Sequence, residues 1–263
     1  MSEIYVLVRA DDIGMEHGVN EACIHAFRAG IARSVELMAP CPWFAEAARM
    51  LAECPDYDVG VHLTLTSEWD NLKWGPMTAA PSLVMESGYF CQTFWPREGV
   101  EVFRDLDWKI EEVEQELRAQ IEKVLKHAPH ASHLSGHMGL RRVDERIGAV
   151  YERLEAEYGL VVDVGAFARF AGFGAESREL TPEEKTEALR ANLTDLGPGK
   201  WLFIDHPAFD AAEIQALGHP GYGGVALDRA GVTRAWTDAQ VQAIIHQRGI
   251  QLVSYADVEK GLA

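Results

Sequence analysis

The chain has 263 residues, of which 48% are hydrophobic, and this is enough to bury a sizeable core in one large α/β domain. Its formal net charge is -17, from 24 basic and 41 acidic residues, and it contains no Lys/Arg-rich run. This balance argues against nucleic acid as a partner and disfavours a free polyanionic substrate. No apolar run approaches the length of a membrane span, so we expect no membrane partner.

The start of the chain and its cysteines indicate the compartment. The N-terminus leads directly into the apolar run 4–8 without a basic segment or a cleavage site, so we expect no signal peptide. None of the four cysteines has a C-x-x-C spacing, and we expect free thiols at Cys23, Cys41, Cys54 and Cys91. These features predict a cytoplasmic protein.

Apolar runs alternate with helical patterns along the chain. The runs predict seven strands, at 4–8, 34–38, 58–65, 131–134, 161–164, 201–204 and 250–253. Helical patterns occur at 16–29, 43–53, 107–127, 142–157, 182–193 and 237–248. This order predicts an α/β fold with a parallel sheet, either open or closed into a barrel.

Two stretches interrupt the alternation, and we predict that both are long loop insertions in a single domain covering 1–263. Residues 66–106 carry several aromatic side chains among prolines, and 207–235 contain the sequence His-Pro-Gly-Tyr-Gly-Gly. Long loops inside compact domains commonly act as lids or binding loops.

Asp11 and Asp12 directly follow the first predicted strand. The apolar run before them is typical of a strand buried in a parallel sheet, so the two carboxylates fall where α/β folds keep their chemistry. Adjacent carboxylates do not both ionise easily unless a cation joins them. The pair therefore predicts a metal site, and the alternative is a simple cap of the helix that begins near Met15.

Histidines occupy the corresponding place after other strands. His62 lies near the end of the third strand, His133 and His137 lie at the end of the fourth, and His206 follows the sixth. Because the carboxyl ends of parallel strands meet at one edge of a sheet, we expect these side chains to lie together. Taken singly, His62 could be a satisfied core histidine, and His206 could merely end a strand before a proline.

Two imidazoles and one carboxylate suit a divalent ion with one position open for water. We predict Asp12, His62 and His137 as ligands of one such ion, magnesium or zinc. Asp11 is then free to act as general base, and His206 as general acid.

Two further residues are expected to support this set. Asp205 precedes His206 and is placed to orient it, while His133 is expected to be structural or to lie behind the metal ligands. The competing pair His219-Pro220 is more typical of a turn.

These motifs resemble those of the YdjC-like family of carbohydrate deacetylases. The similar segments are residues 10–14, 60–66, 133–137, 206–207 and 249–255, in that order, so the likeness covers about residues 4–258. The resemblance implies a distorted (β/α) barrel of about seven parallel strands, like that of polysaccharide deacetylases. It also implies removal of an acetyl group from an N-acetylated sugar or oligosaccharide with a divalent cation. By motif, it carries over the base Asp11, the acid His206 and the ligands Asp12, His62 and His137.

One motif departs from the family pattern. The chain has Ser135-Gly136 where the family usually has Asp-Ser. The missing acid would be expected to support a ligand histidine, so the change predicts weaker metal binding or a different substrate.

Tryptophans and arginines in the long insertions are candidates for substrate contact. Trp69, Trp74 and Trp95 are suited to stack on sugar faces, or else they pack the insertion as a small core of its own. Arg229 and Arg234 are suited to bind a substrate oxygen or carboxylate, or else they form surface ion pairs.

Two other functions stay open at this point. The same ligands would serve a hydrolase of a phosphoester or another amide, although no basic cluster or glycine-rich phosphate loop is evident near the predicted site. A non-catalytic sugar-binding relative is the second alternative, against which the spare carboxylate argues. For oligomeric state, a homodimer is the general expectation.

Overall fold

The computed structural model describes residues 3–175 and 177–263. Its strands are β1 (Ile4–Ile13), β2 (Ser34–Leu37), β3 (Val59–Leu63), β4 (His133–Gly136), β5 (Ala168–Arg169), β6 (Gly199–Asp205) and β7 (Ile250–Val253). Its α-helices are α1 (His17–Ala29), α2 (Phe44–Ala52), α3 (Ile110–His127), α4 (Glu145–Glu157), α5 (Pro182–Asp195), α6 (Ala212–Gln215), α7 (Val225–Trp236), α8 (Ala239–Arg248) and α9 (Tyr255–Glu259). Short 3-10 turns cover Pro81–Leu83, Phe103–Asp105, His137–Arg142 and Ser177–Glu179.

The sheet is parallel throughout the described residues. Its strand order is β4-β3-β2-β1-β6-β5, and β7 pairs with the first half of β1. The same edge of β1 pairs with β2 further along, from Arg9 onward, while β6 runs beside Ile4 to Ala10. Val6, Leu7 and Val8 are at most 1% exposed, as expected for a central parallel strand. This arrangement is a distorted (β/α) barrel and confirms the predicted fold class.

One predicted strand is wrong. Residues 161–164 form no strand, and Val161 is 53% exposed, although the β-branched sequence favours extended structure. The fifth strand lies later, at Ala168–Arg169, where two residues pair with Trp201 and Leu202 of β6. Propensity alone could not locate it, because a strand this short is defined by its neighbour.

The prediction that 207–235 is a loop is also wrong, because helix α7 occupies the end of this segment. Apolar periodicity is weak here, since α7 packs on several sides and buries an ion pair between Lys185 and Asp228. Gly231 lies at the contact with α5, where a Cβ would meet Lys185 Cδ at 2.8 Å and Pro182 Cα at 3.2 Å. A glycine that reads as a helix breaker is therefore a close-packing position.

The first predicted insertion is mostly irregular but well packed. Residues 66–106 contain only two short 3-10 turns, and they bury Trp69, Trp74, Phe90, Phe94 and Phe103 to 3% exposure or less. This small aromatic core fixes a long loop that borders the carboxyl ends of the strands.

Two observations bear on the environment of the chain. No helix among residues 3–175 and 177–263 is both long and apolar enough to cross a membrane. All four cysteines carry free thiols, and three of them are buried.

Candidate functional site

The carboxyl ends of β1, β3 and β4 bring three predicted ligands together. One donor atom from each of Asp12, His62 and His137 lies within 4.8 Å of the others, and all three side chains are buried. Asp12 Oδ1 is 3.7 Å from His62 Nε2 and 3.3 Å from His137 Nδ1. Residues 12, 62 and 137 are far apart in sequence, so parallel topology is what gathers them.

The backbone at the end of β1 turns both aspartates toward this cluster. Asp12 has a φ of 75°, and the pairing with β2 is irregular between Ala10 and Ile13. Side chains of successive residues in a regular strand point to opposite faces. Here, however, Asp11 Oδ2 lies 3.8 Å and Asp12 Oδ1 lies 3.7 Å from the same His62 nitrogen. A left-handed residue at this place indicates local strain held by the surrounding fold.

The environment of Asp12 fits a cation. Its Oδ2 accepts a hydrogen bond from Arg229 at 2.9 Å, whereas its fully buried Oδ1 has no hydrogen bond of normal geometry among the described residues. Burial alone would raise the pKa of Asp12, but His206, Arg229 and His137 hold it well below its usual range. A buried, ionised and unpartnered oxygen is costly unless a cation joins it. The donor set of two imidazole nitrogens and one carboxylate suits a divalent metal.

The two histidines of the cluster are held by different partners. His137 Nε2 contacts Glu68 Oε2 at 2.9 Å, which leaves Nδ1 to face Asp12. Burial would lower the pKa of His137, but Glu68 and Asp12 outweigh it and raise the pKa to about 10. Burial lowers the pKa of His62 to about 4, so this imidazole is neutral near pH 7. Its Nδ1 contacts Ser135 Oγ at 2.7 Å, which leaves Nε2 to face the aspartates.

Asp11 is fixed by an arginine from its own strand. Arg9 Nε and Nη2 donate to the two carboxylate oxygens of Asp11, each at 2.7 Å, and Arg9 Nη1 donates to Tyr255 Oη at 3.1 Å. This two-pronged contact fixes the plane of the carboxylate. Residue 9 lies two positions before Asp11 in the strand, so the pair could have been noticed in the sequence.

His206 stands on the other side of Asp12, after the end of β6. Its Nε2 is 4.0 Å from Asp12 Oδ2, and its side chain is 39% exposed in a cavity. Asp205 lies beside it, with 3.6 Å between Asp205 Oδ1 and His206 Nδ1. Enclosure would lower the pKa of His206, but the carboxylates of Asp12 and Asp205 raise it above its ordinary value.

The predicted substrate-binding residues are only partly brought together. Trp69 and Arg229 line the cavity, and the Arg229 guanidinium lies 5.2 Å from the centre of the Trp69 ring. Trp74 is buried in the loop core, Trp95 packs beneath Arg104, and Arg234 pairs with Glu183 at the surface. These last three side chains do not line the cavity.

The cavity over the cluster has a volume of about 580 Å³ and an arginine-rich wall. Arg142, Arg169 and Arg178 line it, and none of them has a carboxylate within 4.0 Å in 3–175 and 177–263. Two nitrogens of the buried Arg229, Nε and Nη1, also have no partner in these ranges. Arg229 was predicted to contact substrate, but Arg142, Arg169 and Arg178 were not, because the four arginines are scattered over about ninety residues of an acidic chain.

Glu36 and Glu68 were not predicted as part of the site, although the sequence contains a signal for Glu36. Glu36 is a fully buried carboxylate in the middle of an apolar strand, where an acid is rare unless it is paired. Glu68 lies in the first insertion, where no periodic pattern marks it.

Comparison with known proteins agrees with this fold, which solved structures share, a deacetylase among them. The sequence profile described as YdjC-like protein matches residues 5–247, and the chain belongs to that family. A protein named carbohydrate deacetylase 1 from Listeria innocua is 26% identical over 261 residues, which cover 96% of this chain and 99% of the relative.

Solved structures share the fold. A protein of Enterococcus faecalis, provisionally assigned as a cellobiose-phosphate cleavage protein, aligns with a TM-score of 0.76 and 24% identity over 98% of this chain and 99% of its own. The Bc1960 peptidoglycan N-acetylglucosamine deacetylase aligns with a TM-score of 0.51 and 11% identity, over 96% of this chain and 86% of its own. At these identities the likeness concerns the fold alone.

Proposed function

We propose that this chain is a metal-dependent deacetylase that hydrolyses the acetamide group of an N-acetylated sugar. The observation that carries the proposal is that Asp11 and His206 each lie within 4.0 Å of the buried cluster of Asp12, His62 and His137. Membership of the YdjC-like family, with relatives named carbohydrate deacetylases, supports the same reaction. A base and an acid beside a metal site suit metal-assisted amide hydrolysis.

Asp11 is the proposed general base. Because Arg9 donates to both of its oxygens, the remaining lone pairs of the carboxylate point in fixed directions. It would take the proton from the water that attacks the acetamide carbonyl. Arg9 therefore acts as a positioning residue for the base.

His206 is the proposed general acid. The carboxylates of Asp12 and Asp205 raise its pKa and so favour the protonated ring, and its partial exposure gives it access to a substrate in the cavity. It would give this proton to the sugar nitrogen as the C–N bond breaks, so that a neutral amine leaves.

Asp12, His62 and His137 are the proposed holders of the divalent ion. Such an ion acidifies water and polarises a carbonyl group, which are the two effects needed for amide hydrolysis. Glu68 fixes the ring of His137, and Arg229 fixes one oxygen of Asp12, so the protein determines which atoms face the ion.

The arginines that line the cavity favour a substrate with a negatively charged group. No carboxylate pairs with Arg142, Arg169 or Arg178 in the described part of the chain. The buried Arg229 has two donor nitrogens without a partner there. Unused arginine donors at a cavity suit a phosphate or carboxylate. We therefore propose that the substrate is an N-acetylated sugar that carries such an anionic group. The net charge of the chain had argued against a polyanionic substrate, but the arginines that line the cavity make the local charge favourable.

A matched pair of substrates and a matched pair of variants test the anion. The acetate-release rates of an N-acetylated disaccharide and of its phosphorylated form would be compared. For the phosphorylated sugar, R142Q should lower kcat/KM about tenfold or more, because a charge-assisted hydrogen bond contributes about 1.5–3 kcal/mol. R141Q is the control, since Arg141 pairs with Glu152 outside the cavity. Equal effects of the two variants, or equal rates for the two sugars, would refute the charged substrate.

A substrate panel separates the deacetylase from its alternatives. Zinc- or magnesium-loaded protein would be given N-acetylated sugars, sugar phosphates and simple amides, with acetate, phosphate and amine measured separately. The proposal predicts acetate from at least one sugar and no phosphate. Phosphate release would favour a phosphoesterase, and tight sugar binding without any product would favour a non-catalytic binding protein.

A further inference from the structure

Position 135 is a serine, and a carboxylate from β2, two strands away in the sheet, lies against it. Glu36 lies on β2, fully buried, and one of its carboxylate oxygens accepts a hydrogen bond from Ser135 Oγ. Ser135 Oγ is in turn 2.7 Å from His62 Nδ1. The contacts thus run from His62 through one hydroxyl to a carboxylate, Glu36.

We infer that Glu36 and Ser135 together position the ligand histidine His62. This inference rests on the proposed metal site but goes beyond it. Ser135 has one proton and donates it to Glu36, so it can only accept from His62. The proton of the neutral imidazole then lies on Nδ1, and the lone pair of Nε2 faces the aspartates.

The three strands β2, β3 and β4 place Glu36, Ser135 and His62 in contact. Glu36 on β2 is paired in register with Gly60 on β3, and Gly60 is paired with His133 on β4. A Cβ at Gly60 would collide with the Glu36 carboxylate and would lie 2.5 Å from His133 Nε2. Because Gly60 has no side chain, Glu36 can reach across β3 to contact both His133 and Ser135.

The buried charge of Glu36 has its own partners. Its Oε1 lies 2.8 Å from His133 Nε2 and 4.0 Å from Arg9 Nε. His133 stacks on Tyr255 with 3.6 Å between ring centroids, and its Nδ1 lies 2.8 Å from Ser132 Oγ. These contacts compensate the cost of burying an acid, so Glu36 is held in one place rather than tolerated by chance.

Metal affinity is the direct test. Zinc dissociation constants would be measured by chelator competition for wild type, E36Q and S135A. Both variants should weaken zinc binding about ten- to hundredfold, because outer partners of ligand histidines have effects of this size. E116Q is the matched control: Glu116 is also fully buried, but it anchors Met77 and Thr78 of the first insertion. E116Q should leave zinc affinity unchanged.

Moving the carboxylate from position 36 to position 135 distinguishes the proposed positioning of His62 from a general loss of structure. S135D alone should bind zinc poorly, because two buried carboxylates would then face each other. The double variant E36Q/S135D should recover affinity to within a few-fold of wild type, since one carboxylate again contacts His62. A double variant weaker than both single variants would refute the inference.

The wild-type protein gives an answer that no folding defect can obscure. Nitrogen-15 NMR of the zinc-loaded full chain should show the His62 ring protonated on Nδ1 and bound through Nε2. The opposite state, or unchanged zinc affinity in E36Q, would overturn the inference. Normal zinc binding without acetate release would instead defeat only the proposed reaction, so the two failures are distinguishable.

Discussion

At the scale of single residues, Asp11 is the most informative position, because it adjoins the ligand cluster without being needed to complete it. D11N should keep zinc affinity within a few-fold, since Asp12, His62 and His137 are unchanged. Its acetate release should fall about 10²–10⁴-fold, the usual contribution of a general base. The measurement is steady-state kinetics beside zinc binding, with D107N, a change at an exposed aspartate of the same type, as control.

His137 makes metal binding depend on pH. Its pKa is raised to about 10, so in protein stripped of divalent ions the ring is protonated at pH 7 and must lose a proton when a cation binds. Zinc affinity should therefore increase as pH rises from 7 toward 9, with about one proton released per ion at pH 7. Calorimetry in two buffers of different ionisation enthalpy measures that proton. A binding heat independent of buffer would contradict the raised pKa.

The sequence was a good guide to residues at strand ends and a poor one to residues that support them. Asp11, Asp12, His62 and His137 could be placed at one edge, because apolar runs locate buried strands and parallel strands end together. Glu68 could not be found, since its loop has no repeating pattern. Of the arginines that line the cavity only Arg229 was predicted, because no motif marks Arg142, Arg169 or Arg178 and they meet only after folding.

At the scale of elements, the close approach of β2, β3 and β4 depends on Gly60. G60A should displace Glu36 and His133, weaken zinc binding about tenfold, and lower the free energy of unfolding by about 1–3 kcal/mol. G197A is the control, because a Cβ there meets nothing within 4 Å. Chemical denaturation and chelator competition measure the two effects, and wild-type zinc affinity in G60A would be the contrary result.

Elements were predicted best where one pattern decided them. The strand β7 was placed at its observed limits, and α3, predicted at 107–127, lies at Ile110–His127 and buries Val113, Leu117, Ile121 and Val124. Helix α7 escaped detection because it is buried on several sides and contains Gly231, so its pattern lacks the usual polar face. The two-residue strand β5 escaped because only its pairing with β6 defines it.

At the scale of the whole molecule, metal binding should stabilise the fold, because the ligands come from the ends of β1, β3 and β4. A ligand at 100 times its dissociation constant adds about 2.7 kcal/mol to the free energy of unfolding. For a chain of this size that corresponds to a rise in Tm of about 5–10 °C. Thermal unfolding with and without added zinc measures it, and H62A should abolish the rise. An equal rise in H62A would place the ion elsewhere.

The most direct test of the account is a titration of activity against bound metal. Protein stripped of divalent ions would receive zinc or magnesium in steps, with acetate release from an N-acetylated, phosphorylated disaccharide measured at each step. We predict no acetate at the start and a rise that saturates at about one ion per chain, with no rise for D12N. Full activity in stripped protein, or none in protein shown to hold one ion, would contradict the claim that this cluster hydrolyses an acetamide.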